Sequence, residues 1–127
     1  MPNLRRRLLP LLLLAAACGS EPPAALPAGQ WVAPEAHLTV ADSGTFLELV
    51  CRDARLPAVL PLDAHGRFSV DTTIAEYGIA LHVYRARVAG QLEDGTLRLT
   101  VTPLEPAAGA QSFQLHPGSA PRFPPCG

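Results

Sequence analysis

From Trp31 onward the chain has no helical period; apolar and polar residues alternate with a period of two between turn signals, as in half-buried β-strands. Asp94-Gly95 reads as a two-residue hairpin loop. Counting outward from it pairs Leu92 with Leu97, Gly90 with Leu99 and Val88 with Val101 on one face. The other face receives Gln91 with Arg98, Ala89 with Thr100 and Arg87 with Thr102. A single register therefore sorts apolar from polar along both strands, and a slip of one residue would reverse it.

The same count around Ser43-Gly44 pairs Val40 with Leu47, Leu38 with Leu49 and Ala36 with Cys51 inside, leaving Thr39 with Glu48 and His37 with Val50 outside. A three-residue loop at Ala64-His65-Gly66 pairs Leu62 with Phe68 and Leu60 with Val70. A strand around Phe113 and Leu115 brings the number of clear strands to seven, and an eighth lies near Trp31 or within residues 72–77. The expected fold is all-β: an antiparallel meander closing into a small barrel, which removes exposed edges. A two-sheet sandwich is the alternative. An immunoglobulin arrangement is disfavoured because it expects a tryptophan between paired cysteines, and Trp31 precedes Cys51.

The amino terminus follows a different pattern. Arg5-Arg6-Arg7 precedes a short apolar run, Leu8 to Leu14 interrupted by Pro10, which ends in Ala15-Ala16-Ala17. That run is too short to cross about 30 Å of hydrocarbon and has the form of an export signal, removed from the mature chain. Leu14-Ala15-Ala16-Ala17-Cys18 resembles the lipobox of bacterial lipoproteins, with alanine at the position where leucine is commonest. The resemblance implies that the Cys18 thiol takes a diacylglyceryl group and holds the protein to a lipid bilayer. Gly19, in place of aspartate, implies the outer membrane of a two-membrane envelope. Two or three acyl chains anchor stably where one does so only marginally.

Three boundaries follow: a signal at 1–17, a lipidated Cys18 with a Pro/Ala-rich tether at 18–29, and one β domain at 30–127. If Cys18 is acylated, Cys51 and Cys126 are left as a pair in an oxidising compartment. The carboxyl-terminal two-thirds of the chain also resembles a group of uncharacterised exported bacterial β proteins. The shared features are a strand ending in cysteine (Leu47 to Cys51), Leu60-Pro61-Leu62-Asp63 leading to Gly66-Arg67-Phe68, the strand Ala86-Arg87-Val88-Ala89-Gly90, and a terminal cysteine, Cys126. That likeness implies the fold and the Cys51–Cys126 bridge and carries no activity.

Of 127 residues 48% are hydrophobic and 17% charged, which suits a packed core despite 14 prolines. The formal charge is −1. Loss of Arg5, Arg6 and Arg7 with the signal leaves seven basic and eleven acidic residues, −4, and sets nucleic-acid binding aside. His37, His65, His82 and His116 form no pair at metal-ligand spacing, so neither a metal nor a cofactor is expected. The serines lie in no Gly-x-Ser-x-Gly elbow.

Arg85, Arg87 and Arg98 form a basic stripe on the outer face, read as solvated before it is read as a contact for acidic head groups or a partner. Arg85 shares its phase with Leu81 and Val83, which implies a bulge or a misread register. Phe46, beside Ala41 across the first hairpin, is a candidate exposed aromatic. The leading expectation is a membrane-anchored, non-catalytic envelope domain that binds or scaffolds another envelope component. One alternative is a carrier of a small apolar ligand enclosed by Leu38, Val40, Leu49, Val88, Leu99 and Val101. The other is a small hydrolase using two of Glu48, Asp71, Glu76 and Glu105.

Overall fold

The structure, a computed structural model, describes residues 23–120 and 122–126. The expected signal at 1–17, the expected acylation site Cys18 and residues 19–22 of the expected tether lie outside that range. Eight strands follow one another in chain order: β1 (Gly29–Ala33), β2 (Ala36–Ala41), β3 (Gly44–Leu49), β4 (Arg52–Leu56), β5 (Arg67–Glu76), β6 (His82–Glu93), β7 (Thr96–Glu105) and β8 (Gln111–Pro117). Each pairs antiparallel with the next, and β8 returns to β1 to close a barrel. The expected meander and its closure are both present.

The β6–β7 hairpin has the register predicted around Asp94-Gly95, from Glu93 opposite Thr96 to Arg87 opposite Thr102. Asp94 (φ 52°) and Gly95 (φ 79°) both adopt positive φ, which makes the loop's twist match that of the strands. The β2–β3 register differs from the expectation by two residues: Ala36 faces Leu49, Leu38 faces Leu47 and Val40 faces Thr45, because the loop is Asp42-Ser43 and Gly44 opens β3. An even shift preserves the faces, so Leu38, Val40, Leu47 and Leu49 still point inward and are buried. Cys51 does not lie opposite Ala36. It occupies the turn after β3, with φ 57°.

The third predicted hairpin is half correct. Its loop exists, with Asp63 N–H donating to the Arg67 carbonyl and Gly66 N–H to that of Asp63. The arm before it is not a strand of the barrel. Leu26 N–H donates to Leu60 O and Leu62 N–H to Ala24 O, so residues 60–62 pair with the segment ahead of β1. Leu60 and Leu62 therefore do not face Val70 and Phe68; the neighbour of β5 is β4, through Arg52–Glu76, Asp53–Ala75 and Ala54–Ile74. Below Ile74 the two strands part, and the buried Thr72 hydroxyl donates to the Arg55 carbonyl at 2.7 Å, satisfying an acceptor the ladder no longer reaches.

Part of the presumed tether is thus docked: Leu26 is buried, and the Trp31 indole N–H donates to Pro27 O at 3.2 Å. The inward side chains form one cluster that includes Trp31, Leu38, Leu47, Phe68, Ile74, Val88, Leu97, Leu99, Val101 and Leu115, capped by Leu26 and Leu60 where the chain enters.

Candidate functional site

Antiparallel order gives the barrel two distinct ends. One, called the tether end because the expected tether would enter there, holds the start of β1, the docked segment 24–28, the connection 57–66 and the Asp94-Gly95 turn. The far end holds the turns after β1 and β3, the β5–β6 loop and the β7–β8 loop. Six large apolar side chains are exposed among the described residues, and five of them (Val50, Tyr77, Ile79, Leu81 and Val83) belong to the far end; the sixth is Val59. Ile79, at the β5–β6 tip, is as open as in an extended peptide, at 110%.

Position on the strands explains this exposure. β6 alternates with Tyr84, Ala86, Val88 and Gly90 facing inward, which turns Val83, Arg85 and Arg87 outward. The phase shared by Leu81, Val83 and Arg85 is therefore real, and Val83 and Arg85 both point away from the core. The irregularity predicted there lies in the pairing with β7, where the register shifts between Arg85 and Ala86. Tyr77 N–H donates to Cys51 O at 2.8 Å and its hydroxyl to Asp53 Oδ1 at 3.2 Å, joining the apolar tip to the β3–β4 turn. That hydrogen bond to a carboxylate, reinforced by burial, pushes the Tyr77 phenol upward from its ordinary value.

Inside this rim the mouth is polar. Arg52 stands at an inward position of β4 and donates to Gln111 Oε1 on β8 at 2.7 Å, with a longer contact of 3.5 Å to the Tyr84 hydroxyl on β6. One guanidinium thus spans three strands above the apolar cluster, and His82 stacks on Tyr84 at 5.4 Å. None of this constellation was predicted from spacing, because its members are 32 and 59 residues from Arg52.

Cys51 and Cys126 are joined by a disulfide with a Cα–Cα separation of 5.4 Å. After β8 ends at the tether end, Gly118 N–H donates to Gln30 O and Ala120 N–H to Gln30 Oε1. The tail thus runs back along the outside of β1 and β2 to the far end. Phe123 stacks on His37 at 4.0 Å with rings 9° apart. His37 is outward, as expected, but it is not solvated: it is 4% exposed, and its Nε2 has no hydrogen-bond partner. Phe46 faces Thr39, not Ala41, and is half-buried with the Arg55 guanidinium 5.7 Å above its ring. His65 and His116 are exposed; His65 occupies its predicted turn, and His116 Nδ1 lies 3.4 Å from the Thr96 hydroxyl.

The four candidate carboxylates are distributed around the barrel. Glu105 faces Arg85, Glu76 faces Arg52, and Glu48 faces Asp53, a cross-strand pair of like charges that sequence spacing did not suggest. Asp71 is ion-paired with Arg87 (2.8 Å, both side chains largely solvated), so the centre of the predicted basic stripe is neutralised. The Arg87 hydrogen bond holds the Asp71 carboxyl below its ordinary value. A depressed folded-state value stabilises the fold above the unfolded value, about 3.9, and that contribution disappears as pH falls through the folded one. In a carbon-detected titration, Asp71 should therefore titrate below the ordinary range, and Arg87→Gln should return it there; an unmoved midpoint in the variant would show that the pair is not formed in solution.

Among the described residues no group of three or more His, Cys, Asp or Glu is arranged to hold a metal ion. Comparison with known proteins finds no family model, no curated protein and no solved structure that matches this chain.

Proposed function

We propose that this chain is a lipid-anchored envelope protein whose barrel is a non-catalytic docking module, holding its far end out to another envelope protein. The observation that carries this reading is the gathering of exposed apolar side chains at the end opposite the tether. Contiguous exposed apolar surface in a soluble domain marks interaction sites, whereas scattered single residues do not. Val50 on the β3–β4 turn, Tyr77, Ile79 and Leu81 on the β5–β6 loop and Val83 at the start of β6 bring five such residues to that one end.

Geometry supports the direction of presentation. Acylation at Cys18 leaves six residues to Ala24, where the chain is already docked, so the tether can extend at most about 22 Å. β5 alone, with ten residues, covers about 33 Å of strand. A barrel standing on its tether end therefore carries Ile79 well beyond the head groups. In an envelope of two membranes, Gly19 after the acylated cysteine favours the outer one.

The packed inner face favours docking over carriage of an apolar ligand: Leu38, Leu47, Ile74, Leu97, Leu99 and Leu115 are fully buried against one another. The carboxylates favour it over hydrolysis, since Asp71, Glu76 and Glu105 each stand opposite an arginine, and the Glu48–Asp53 pair lies on the convex outer wall.

A photo-crosslinking residue placed in living cells at Ile79 or Leu81 should yield one discrete protein adduct, and the same residue at Thr102 on the outer wall should yield none. Ile79→Asp with Leu81→Asp should abolish the adduct from Val83 and leave the melting temperature unchanged, because exposed positions contribute within about 0.5 kcal/mol. No adduct at the tip, or equal adducts at all sites, would refute docking there. Mass spectrometry of the mature amino terminus tests the anchor separately: a diacylated Cys18 is expected, and an unmodified one overturns it.

A further inference from the structure

A second feature lies on the wall of the barrel, nearer the tether end. A groove of about 450 Å³ crosses β5, β6 and β7, lined by Asp63, Arg67, Ser69, Gln91, Arg98 and Thr100 over a floor at Ala89. Register makes the dent. Arg67, Gln91 and Arg98 stand in one outward row across the three strands, and Ser69, Ala89 and Thr100 in the next. Long side chains therefore border a strip where the side chains are short. The volume lies in the lower part of the range of about 300 to 1,000 Å³ typical of small-molecule sites.

The charges are arranged for one anionic group. Arg87, the neighbouring cation, is occupied by Asp71, while neither Arg67 nor Arg98 is ion-paired among the described residues. Their backbones are two strand spacings apart, about 10 Å, with the Gln91 amide between them. Two arginine side chains can converge across that gap on a carboxylate or phosphate, whose planar or tetrahedral oxygens match the guanidinium fork.

A polyanion is a poor fit. Glu93 and Asp94 lie just beyond this row on the tether side, and Asp63 is inside the groove. Asp63 is held ionised: its Oδ1 accepts the backbone N–H groups of His65 (2.8 Å) and Arg67 (3.0 Å), and the Arg67 bond is the stronger cause of the carboxyl's downward shift. The lining thus offers one fixed acceptor, two cations, an amide that both donates and accepts, and the hydroxyls of Ser69 and Thr100, the latter 3.2 Å from Ser112 Oγ. Mixed donors and acceptors around a single cationic fork suit a body covered in hydroxyls that carries one anionic group.

We propose that this groove binds an anionic sugar, a single ring bearing one carboxylate or one phosphate. The charged group lies between Arg67 and Arg98 over Gln91, and ring hydroxyls reach Ser69, Thr100 and the free oxygen of Asp63. Phe68 turns its ring to the core, so no aromatic face stacks on the sugar. Affinity then rests on polar contacts, and a single ring of about 13 atoms should bind with a Kd of about 1 mM. The site depends neither on acylation of Cys18 nor on docking at the far end.

The test is an amide NMR titration of the full chain, as processed by the cell, in a detergent without a sugar head group. The probes are glucuronate, glucose 6-phosphate, glucose and inorganic phosphate. Glucuronate or glucose 6-phosphate should shift the Ala89 and Thr100 backbone amides and the Gln91 side-chain amide saturably. Arg67→Gln with Arg98→Gln should weaken that binding at least tenfold. Ala89→Phe, which fills the dent from outside without entering the core, should abolish it. Glucose binding as well as either anionic sugar would remove the cationic fork from the site; inorganic phosphate binding as well would remove the sugar. Saturable shifts that survive the double arginine variant, or no shifts with any probe, would overturn the site altogether.

Discussion

Reduction of the Cys51–Cys126 bridge, or the Cys51→Ser, Cys126→Ser double variant, should lower the melting temperature by about 12 to 32 °C. The bridge closes a loop with a sequence separation of 75. For a loop of that length the chain-entropy model gives about 4 to 5 kcal/mol, an upper value because the reduced unfolded chain keeps some structure of its own. Taking about 3 to 4 kcal/mol, and about 4 to 8 °C per kcal/mol for a domain of this size, gives the stated interval. Typical domains have about 5 to 15 kcal/mol in all, so the loss is a large fraction. A thermal scan with and without reductant measures it. Equal melting temperatures would mean that the tail lies on the barrel without stabilising it.

The bridge also has a local consequence that separates it from a generic staple. It fixes the tail, and the tail carries Phe123 over His37. Once the bridge is cut, the His37 ring should gain solvent and its ring protons should lose the upfield shift that a stacked phenyl imposes, even below the melting transition. Tyr77 is hydrogen-bonded to Cys51 O, so the apolar tip should loosen in the same step.

Turn chemistry explains which parts of the fold were legible. Asp94 and Gly95 form a loop whose backbone twist fits the strands, and the register beside them followed to the residue. At the first hairpin the glycine misled by one place: Gly44 (φ 146°) opens the strand and leaves Asp42-Ser43 to turn, so partners moved while faces held. β4 was missed because Arg52, Asp53 and Arg55 give it a polar appearance; it belongs to the barrel through Ala54 and Leu56. What sequence could not show was cover from a distance. The burial of His37 depends on a residue 86 positions later, and the Arg52 bridge depends on Tyr84 and Gln111. The one local conflict, apolar Leu81 and Val83 in phase with Arg85, was a true signal. It marked outward apolar residues at the candidate docking tip, where sequence rules are expected to break.

The remaining large effect concerns how the barrel closes around Phe68. Phe68 and Gly90 face each other across β5 and β6, and both point inward. A Cβ on Gly90 would overlap the Phe68 ring, so the ring lies flat against the backbone where a side chain is missing. Phe68→Ala should therefore destabilise by about 3 to 5 kcal/mol, through lost burial and the cavity left behind. Gly90→Ala alone should cost about 1 to 3 kcal/mol by overpacking, since Gly90 does not have positive φ and alanine meets no backbone strain there. With Phe68 already removed, the same methyl enters open space and replaces a glycine that weakens a strand, so its effect should become neutral or favourable. The double variant should then be more stable than the sum of the single losses predicts by at least about 1 kcal/mol, beyond the roughly 0.3 to 0.5 kcal/mol scatter of independent sites. Chemical denaturation of the four proteins closes the cycle, and additive losses would mean that the ring does not rest on Gly90.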